Sequence, residues 1–268
     1  MYSLASGSIL HLVQITDSHI LATENGQLLG MKTRDSLQKV LNKIRQERHQ
    51  IDAFLVTGDL SQDDSLESYQ YIKEELSTFA SPSFWFKGNH DDENNMQKAA
   101  QGAEHLEQVI RTDYWQIVLL NSQVEGSVFG YLAEDQLDLL QKALSERPDL
   151  HTLISFHHHP VAMGSRWIDQ IGLKNADQLF TLVGQHKNVR AILFGHVHQQ
   201  SDGLKNGIRL LSSPSTCIQF TRHSDDFAVD TLEPGYRWLD LHSNGQIDTG
   251  VSRVEGMAQF IDYSSKGY

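Results

Sequence analysis

The chain has 268 residues, of which 39% are hydrophobic and 21% charged, and this composition excludes a disordered or fibrous protein. The net charge of −12 argues against non-specific binding to long nucleic acids or to an anionic membrane surface. The one cysteine, Cys217, excludes an intramolecular disulfide framework and a thiolate-rich zinc site. No stretch approaches the roughly 20 apolar residues that span a bilayer, and the first residues lack a signal-peptide pattern, so we expect a cytoplasmic protein.

Short apolar or β-branched runs that end at turn-forming residues predict six buried strands. They cover residues 9–16, 52–57, 83–86, 115–121, 151–156 and 189–194. Between them, apolar residues at helical spacing predict amphipathic helices within 37–44, 66–79 and 137–144. This alternation predicts an α/β fold, a layered α/β/α sandwich of mixed β-sheets with helices on the outer faces. At this length, one domain over residues 1–268 is expected.

The pattern changes from residue 208 onward. Two strand-like pieces, 208–211 and 237–242, flank the polar stretch 221–230. We expect residues 208–268 to be a C-terminal extension of strands and loops that forms a lid or a subunit contact. A solvated loop is the alternative.

Residues that can bind metal ions directly follow five of the predicted strands. They are Asp17 and His19, Asp59, Asn89, His157, and His196 with His198. In open α/β sheets ligands bind beyond the carboxyl ends of the strands, so these side chains should converge on one crevice. Taken singly, each of these residues is more often a turn residue or a helix cap. The pair His196 and His198, taken without the others, could be solvated loop residues. The joint pattern favours a metal site.

Three glycines strengthen this interpretation, because Gly58, Gly88 and Gly195 each precede a candidate ligand. A permissive backbone there would allow a sharp turn off the strand.

The candidate ligands are carboxylates, imidazoles and one carboxamide, a set that favours Mn, Fe, Zn or Co over Ca. Seven ligands are too many for one tetrahedral ion. Two ions about 3.5–4 Å apart that share one carboxylate would use all of them and leave positions open for water and substrate. Asp59 is the expected bridge.

The series of motifs resembles that of the calcineurin-like metallophosphoesterases. The matching motifs are Asp17-x-His19, Gly58-Asp59, Gly88-Asn89-His90-Asp91, a separate histidine and Gly195-His196-x-His198. The likeness extends to one branch, the bacterial class III cyclic-nucleotide phosphodiesterases, through residues 14–17, 53–62, 157–160 and 214–217. It covers most of the chain.

The resemblance implies hydrolysis of 3′,5′-cyclic AMP to 5′-AMP on two divalent metal ions, with a metal-bridging hydroxide as the nucleophile. Iron or manganese is expected first, with zinc or cobalt as alternatives. By the family pattern, one ion is held by Asp17, His19, Asp59 and His198, and the other by Asp59, Asn89, His157 and His196. Asp59, Asn89 and His90 are the implied catalytic residues, with His90 as the general acid for the leaving ribose 3′-oxygen. The implied contacts to the substrate are His19, Asp59, Asn89, His90 and His198.

The histidine after the fifth strand is ambiguous, because the family usually has His-His-Pro-Pro where this chain has His157-His158-His159-Pro160. We choose His157, since it directly follows the strand as the other ligands do. His158 or His159 is the alternative.

Other functions remain open at this point. A related metallophosphoesterase could act on phosphodiesters, phosphomonoesters or nucleotide pyrophosphates with the same metals, and a non-catalytic metal-binding scaffold could keep the fold. A DNA nuclease is disfavoured by the acidic charge. The expected partner is a small cyclic nucleotide, with no long nucleic acid and no membrane, and the chain is expected to be a monomer or a homodimer.

Overall fold

Two mixed β-sheets packed face to face form the centre of the molecule. The structure is a computed structural model that describes residues 1–102 and 104–267. The strands, numbered along the chain, are β1 (Tyr2–Ser3), β2 (Ile9–Ile15), β3 (Gln27–Leu28), β4 (Met31–Lys32), β5 (Ala53–Thr57), β6 (Ser83–Phe86), β7 (Val109–Arg111), β8 (Trp115–Leu119), β9 (His151–Ser155), β10 (Val189–Phe194), β11 (Ser201–Lys205), β12 (Ile208–Ser212), β13 (Gly235–His242) and β14 (Ile247–Arg253). The helices are α1 (Thr33–Glu47), α2 (Leu66–Ser77), α3 (Glu93–Ala100), α4 (Glu134–Glu146), α5 (Arg166–Asp169) and α6 (Ala176–Val183). No helix within the described ranges is long and apolar enough to cross a membrane.

Parallel strands occupy the centre of both sheets, and antiparallel strands lie toward the edges. The larger sheet has the order β1-β7-β8-β9-β10-β12-β11, and β8, β9, β10 and β12 are parallel to their neighbours in that series. The smaller sheet has the order β14-β13-β2-β5-β6, in which β2, β5 and β6 are parallel. Because parallel strands end at the same edge, the loops after five of these strands meet on one side of the molecule.

One apolar layer fills the space between the sheets. Leu12, Leu55, Leu193 and Leu239 contribute to it and are fully buried, so strands from both sheets share this core. Each such side chain contributes about 1.5–3 kcal/mol of burial free energy. The layer fixes the two sheets, and therefore their strand ends, against each other.

A second apolar core lies between the sheets and the helices. On α1, the residues that face it are Leu37, Val40, Leu41 and Ile44, all fully buried. Their spacing is that of one helix face. The predicted α/β sandwich with mixed sheets and outer helices is confirmed.

The six predicted strands appear as β2, β5, β6, β8, β9 and β10, each with bounds within two residues of the prediction. The pieces at 208–211 and 237–242 are strands β12 and β13. Tyr268, at the end of the predicted C-terminal extension, lies outside the described residues. Strand β11 was not predicted, because its sequence SDGLK lies at a sheet edge, half-buried or exposed, and has no apolar run.

Arg237 on β13 is fully buried and joins the two sheets at one end. Its guanidinium donates to the carbonyl oxygens of Ser201 and Ser212 at 3.0 and 2.8 Å, which belong to the larger sheet. It also donates to the hydroxyls of Ser213 and Thr249 at 3.3 and 3.1 Å. Burial lowers the pKa of Arg237 to about 10, so the group stays charged at neutral pH.

We predict that Arg237→Ala lowers the free energy of unfolding by about 3 kcal/mol, because it leaves several buried acceptors without a donor. Urea denaturation followed by circular dichroism measures this. The control is Arg190→Ala, at an exposed position on β10, which should change stability by no more than about 0.5 kcal/mol. Equal effects of the two substitutions would contradict the role of Arg237.

Candidate metal centre

The candidate ligands lie in the loops that follow five parallel strands. Asp17 and His19 follow β2, Asp59 follows β5 and Asn89 follows β6, all in the smaller sheet. In the larger sheet, His157 follows β9, and His196 and His198 follow β10. The centre is therefore assembled at the junction of the two sheets.

Two groups of potential ligands share this junction. In the first group, Asp17, His19 and His198 present atoms within 4.8 Å of one another, and in the second Asp59, His157 and His196 do so. The Nε2 atoms of His19 and His198 are 3.2 Å apart, and His198 Nε2 is 3.3 Å from an oxygen of Asp17. These donor groups can each hold a divalent cation.

Asp59 lies between the two groups. Its Oδ2 atom is 3.1 Å from Nε2 of His157 and 3.9 Å from Nε2 of His19. A carboxylate in that position can contact an ion in either group, as the expected bridge must. Asp59 also forms a third group with His19 and His90, which the sequence had not indicated.

Of the three consecutive histidines, only His157 belongs to one of these groups among the described residues. The Nδ1 atom of His158 is 2.8 Å from the hydroxyl of Ser122, and the ring of His159 stacks on that of His196 at 5.7 Å. Both are buried neighbours of the centre. This arrangement favours the choice of His157 as the ligand.

Hydrogen bonds on one ring nitrogen orient three of the histidines. The Nδ1 atoms of His157 and His198 lie 2.9 and 2.8 Å from the carbonyl oxygens of Thr57 and Ile218. A carbonyl oxygen only accepts, so Nδ1 carries the proton and Nε2 is left with a lone pair. His19 Nδ1 is likewise 2.7 Å from Oε1 of Gln62. Each Nε2 atom can then face a metal ion.

Two of the candidate ligand atoms are buried and have no hydrogen-bond partner among the described residues. These are Oδ1 of Asn89 and Nε2 of His196. A buried polar atom without a partner costs about 1–3 kcal/mol, and a coordinated cation would remove that cost. The donor atoms present therefore fit a pair of divalent cations.

Burial and mutual attraction set the charges of the centre. Burial opposes ionisation of Asp59, but the charges of His157, His90 and His19 together with the contact to His157 outweigh it and hold the pKa of Asp59 well below its usual value. Burial likewise opposes protonation of His157, but the charges of Asp59 and Asp17 together with the contact to Asp59 outweigh it and raise the pKa of His157 to about 9. Burial lowers the pKa of His19 to about 3 and that of His196 well below its usual value. Charged carboxylates and neutral imidazoles are the forms that bind metals, so a metal ion bound by His157 would displace the proton from its Nε2 atom.

The backbone is in the left-handed region at five of the seven candidate ligands. The φ angles are 53° at Asp17, 46° at His19, 51° at Asp59, 66° at His196 and 47° at His198. Residues other than glycine avoid this region at a cost of about 1–3 kcal/mol each. Hydrogen bonds between the loops hold the conformation, including those from the backbone NH of Asp17 to the oxygen of Gly58 and from that of His19 to the oxygen of Asp59, both 3.0 Å.

A sharp turn off the strand was the predicted reason for the three glycines that precede candidate ligands. It applies to one of them, and the other two are needed for a different reason. Gly58 has a φ of +90°, as a sharp turn requires. At Gly88 and Gly195 the requirement is space, because a Cβ atom would lie 2.1 Å from Oδ1 of Asp59 and 2.2 Å from the hydroxyl of Thr16 respectively.

Asp91, which the family motif suggests as the residue that orients His90, supports two of the ligand loops. Its carboxylate accepts hydrogen bonds from the backbone NH groups of Leu60, Ser61 and Gly88 at 2.8–3.3 Å, and from the hydroxyl of Tyr69 at 3.1 Å. It thereby ties the loop after β5 to the loop after β6. Burial, followed by the charge of Asp59, raises the pKa of Asp91 to about 6. Its position directly after the Asn-His pair was the one available signal.

Candidate carboxylate, imidazole and carboxamide ligands at the strand ends of a two-sheet sandwich are typical of metal-dependent phosphoesterases. The family model for calcineurin-like phosphoesterases matches residues 10–200. The chain belongs to the calcineurin-like phosphoesterase family.

Relatives and solved structures agree with this assignment. The chain is 46% identical over 264 residues to the 3′,5′-cyclic adenosine monophosphate phosphodiesterase CpdA of Pseudomonas aeruginosa, covering 98% of this chain and 97% of that protein. It is 42% identical to the protein of the same name from Escherichia coli K12, over 99% of this chain and 97% of the relative. A dimetal phosphatase from Danio rerio superposes with a TM-score of 0.62 at 16% identity, over 92% of this chain and 99% of that one, which shows a shared fold.

We predict that Gly88→Ala lowers the metal content of the purified protein, because the new methyl group would displace the carboxylate of Asp59. Metal analysis after reconstitution measures this. The matched control is Gly203→Ala, where a Cβ atom meets nothing within 4 Å, and this variant should bind metal as the wild type does. Full metal content in Gly88→Ala would show that the carboxylate has room to move.

We predict that Gln62→Leu weakens metal binding by about 10–100-fold, because His19 loses the acceptor that fixes its ring. Titration against a competing chelator measures the affinity. Gln62→Glu keeps an acceptor at the same place and should retain tighter binding than Gln62→Leu. Identical affinities of the two variants would argue that the backbone alone orients His19.

Proposed function

We propose that the protein hydrolyses 3′,5′-cyclic AMP to 5′-AMP with two divalent transition-metal ions, iron or manganese. The observation that carries the proposal is the near full-length similarity, at 42–46% identity, to two proteins named as phosphodiesterases for this nucleotide. The two ligand groups that flank Asp59 support the dinuclear part of the proposal. Hydrolysis would lower the cellular concentration of cyclic AMP.

In this proposal each ion has four protein ligands, with Asp59 shared between them. Asp17, His19, Asp59 and His198 would hold one ion, and Asp59, Asn89, His157 and His196 would hold the other. The amide oxygen of Asn89 is buried and has no hydrogen-bond partner in the part of the chain that the structure describes, which supports its place in the second set.

Two cations held by these residues would supply a nucleophile near neutral pH, because they would lower the pKa of water bound to them. The role of the protein is to orient the reactants. The buried imidazoles of His19, His157 and His198 are held by hydrogen bonds on Nδ1, which keeps the site rigid before substrate arrives. His19, Asp59, Asn89, His90 and His198 are the proposed contacts to the substrate.

His90 is the proposed general acid. It is half-buried in the loop after β6, its backbone NH donates to Oδ1 of Asp59 at 2.9 Å, and its ring lies 5.0 Å from that of His19. A proton from this imidazole would neutralise the departing ribose 3′-oxygen, which is otherwise a poor leaving group.

The cavity at the site supports a small substrate. It has a volume of about 250 Å³ and is lined on one side by Asp59, Asn89 and His90. This volume lies just below the roughly 300–1,000 Å³ of common ligand clefts. Phe220, Phe227 and Gly267 also line it, which supports a covering role for the C-terminal extension (208–268).

The direct test is steady-state kinetics of the purified protein reconstituted with each metal. The substrates are cyclic AMP, cyclic GMP, 2′,3′-cyclic AMP and an aryl phosphodiester. We expect the highest kcat/KM for cyclic AMP with iron or manganese, and loss of activity after chelation. A higher kcat/KM for the aryl diester or for a phosphomonoester would instead favour a different phosphoesterase.

We predict that His90→Ala lowers kcat for cyclic AMP by about 10²–10⁴-fold with unchanged metal content, because the leaving oxygen loses its proton donor. An aryl diester whose leaving group is already a weak base needs little protonation, so its kcat should fall much less. Parallel losses for both substrates would contradict the acid role and would assign His90 to binding.

A further inference from the structure

An aromatic wall lines the cavity beside the candidate metal centre. It consists of Trp167, Phe220 and Phe227, which line the same 250 Å³ space as Asp59, Asn89 and His90. The cavity is therefore lined by polar residues suited to a phosphate and by apolar residues that have no role in the proposed hydrolysis.

The three rings contact each other and the metal centre. The ring centroid of Trp167 lies 4.9 Å from that of Phe220 and 5.2 Å from that of Phe227, both edge to face. Phe220 in turn stacks on the candidate ligand His198, with centroids 4.1 Å apart and planes 11° apart. The aromatic wall is thus continuous with the residues that would hold the phosphate.

Two segments hold the wall in place. Trp167 lies on α5, and Asp169 of that helix accepts from the backbone NH groups of Met163 and Gly164 at 2.6 and 3.2 Å. Phe220 and Phe227 lie in a loop closed by the backbone hydrogen bond from Thr221 to Ala228, at 2.8 Å.

A further contact joins these two segments. The backbone NH of Ser224, in the loop that carries Phe227, donates to the hydroxyl of Ser165 beside α5, at 3.3 Å. The wall is consequently formed before any ligand binds, which reduces the entropy lost on binding.

The rim of the cavity also carries apolar surface. Val128 is 54% exposed, and Trp167 is half-buried. Apolar surface exposed at the mouth of a charged site is costly unless a ligand covers it, and it marks binding sites on soluble proteins.

From this juxtaposition we infer that the aromatic wall binds the base of the cyclic nucleotide, which stacks on Trp167 and Phe227 while the phosphate faces Asp59, Asn89 and His90. This inference rests on the proposed function. It assigns the phosphate and the base of the proposed substrate to different sets of residues. Every base has a π face, so stacking accepts adenine and guanine alike. The wall accordingly selects nucleotides over diesters that lack a base.

The first experiment compares cyclic AMP with a ribose 3′,5′-cyclic phosphate that has no base. Trp167→Leu and Phe227→Leu should each lower the ratio of kcat/KM for cyclic AMP to kcat/KM for the base-free substrate by about tenfold, equivalent to about 1.4 kcal/mol. Trp167→Phe should recover most of the ratio, because it keeps an aromatic ring.

The matched control is Tyr114→Leu, which removes an aromatic ring that is 45% exposed beside the start of β8, away from the strand ends of the site. It should leave the ratio unchanged. An unchanged ratio in Trp167→Leu and Phe227→Leu, or equal losses for both substrates, would overturn the inference.

A binding experiment separates this inference from the proposed activity. Protein loaded with Zn²⁺ is titrated with 5′-AMP or with ribose 5-phosphate while tryptophan fluorescence is followed. The emission should change with 5′-AMP and not with ribose 5-phosphate, and Trp167→Phe should abolish the change. The same response to both ligands, or a response retained in Trp167→Phe, overturns base stacking. Absence of cyclic AMP hydrolysis by the wild type would reject the proposed function, and this titration would still decide the role of the wall.

Discussion

Two buried carboxylates, those of Asp17 and Asp59, are the constraint on which the rest of the centre depends. Each is fully enclosed, and a buried charge is tolerated only beside opposite charge or a metal. The protein surrounds them with imidazoles whose Nε2 atoms point to the same space. Because these groups come from the ends of four strands in two sheets, both sheets must be positioned correctly for the charges to be balanced. The electrostatics of the centre thus impose a geometric requirement on the whole fold.

The core between the sheets meets that requirement. Leucines from both sheets share one buried layer, and the guanidinium of Arg237 crosses between the sheets to carbonyl oxygens of Ser201 and Ser212. Non-directional packing sets the separation of the sheets, whereas directional hydrogen bonds resist their sliding. Asp91 acts in the same way at shorter range, since it joins two ligand loops of one sheet. Stability and ligand geometry therefore depend on the same contacts.

The strands and the candidate ligands were readable from the sequence because both obey local rules. A buried strand is a short apolar run, and a ligand placed just after it needs no further information to be located at the sheet edge. The roles of Gln62 and of the aromatic wall were not predicted, nor was the joining of two loops by Asp91. Their roles depend on which loops lie close together in the fold. A glutamine or a phenylalanine outside a motif does not indicate, from the sequence, which loops it will contact. The edge strand β11 was missed because it has an exposed, polar sequence.

The left-handed backbone at five candidate ligands restricts how the centre could change. Among residues other than glycine, the left-handed region is most accessible to aspartate, asparagine and histidine. These residues also carry good donor atoms for transition metals. A glutamate or a cysteine in place of His19 or His196 would supply a donor atom for a metal. Its backbone, however, would adopt the left-handed conformation less readily than that of histidine. Conversion to a thiolate-rich or calcium-type centre would therefore require the loops to be rebuilt, and this limits the range of metals accessible by single substitutions.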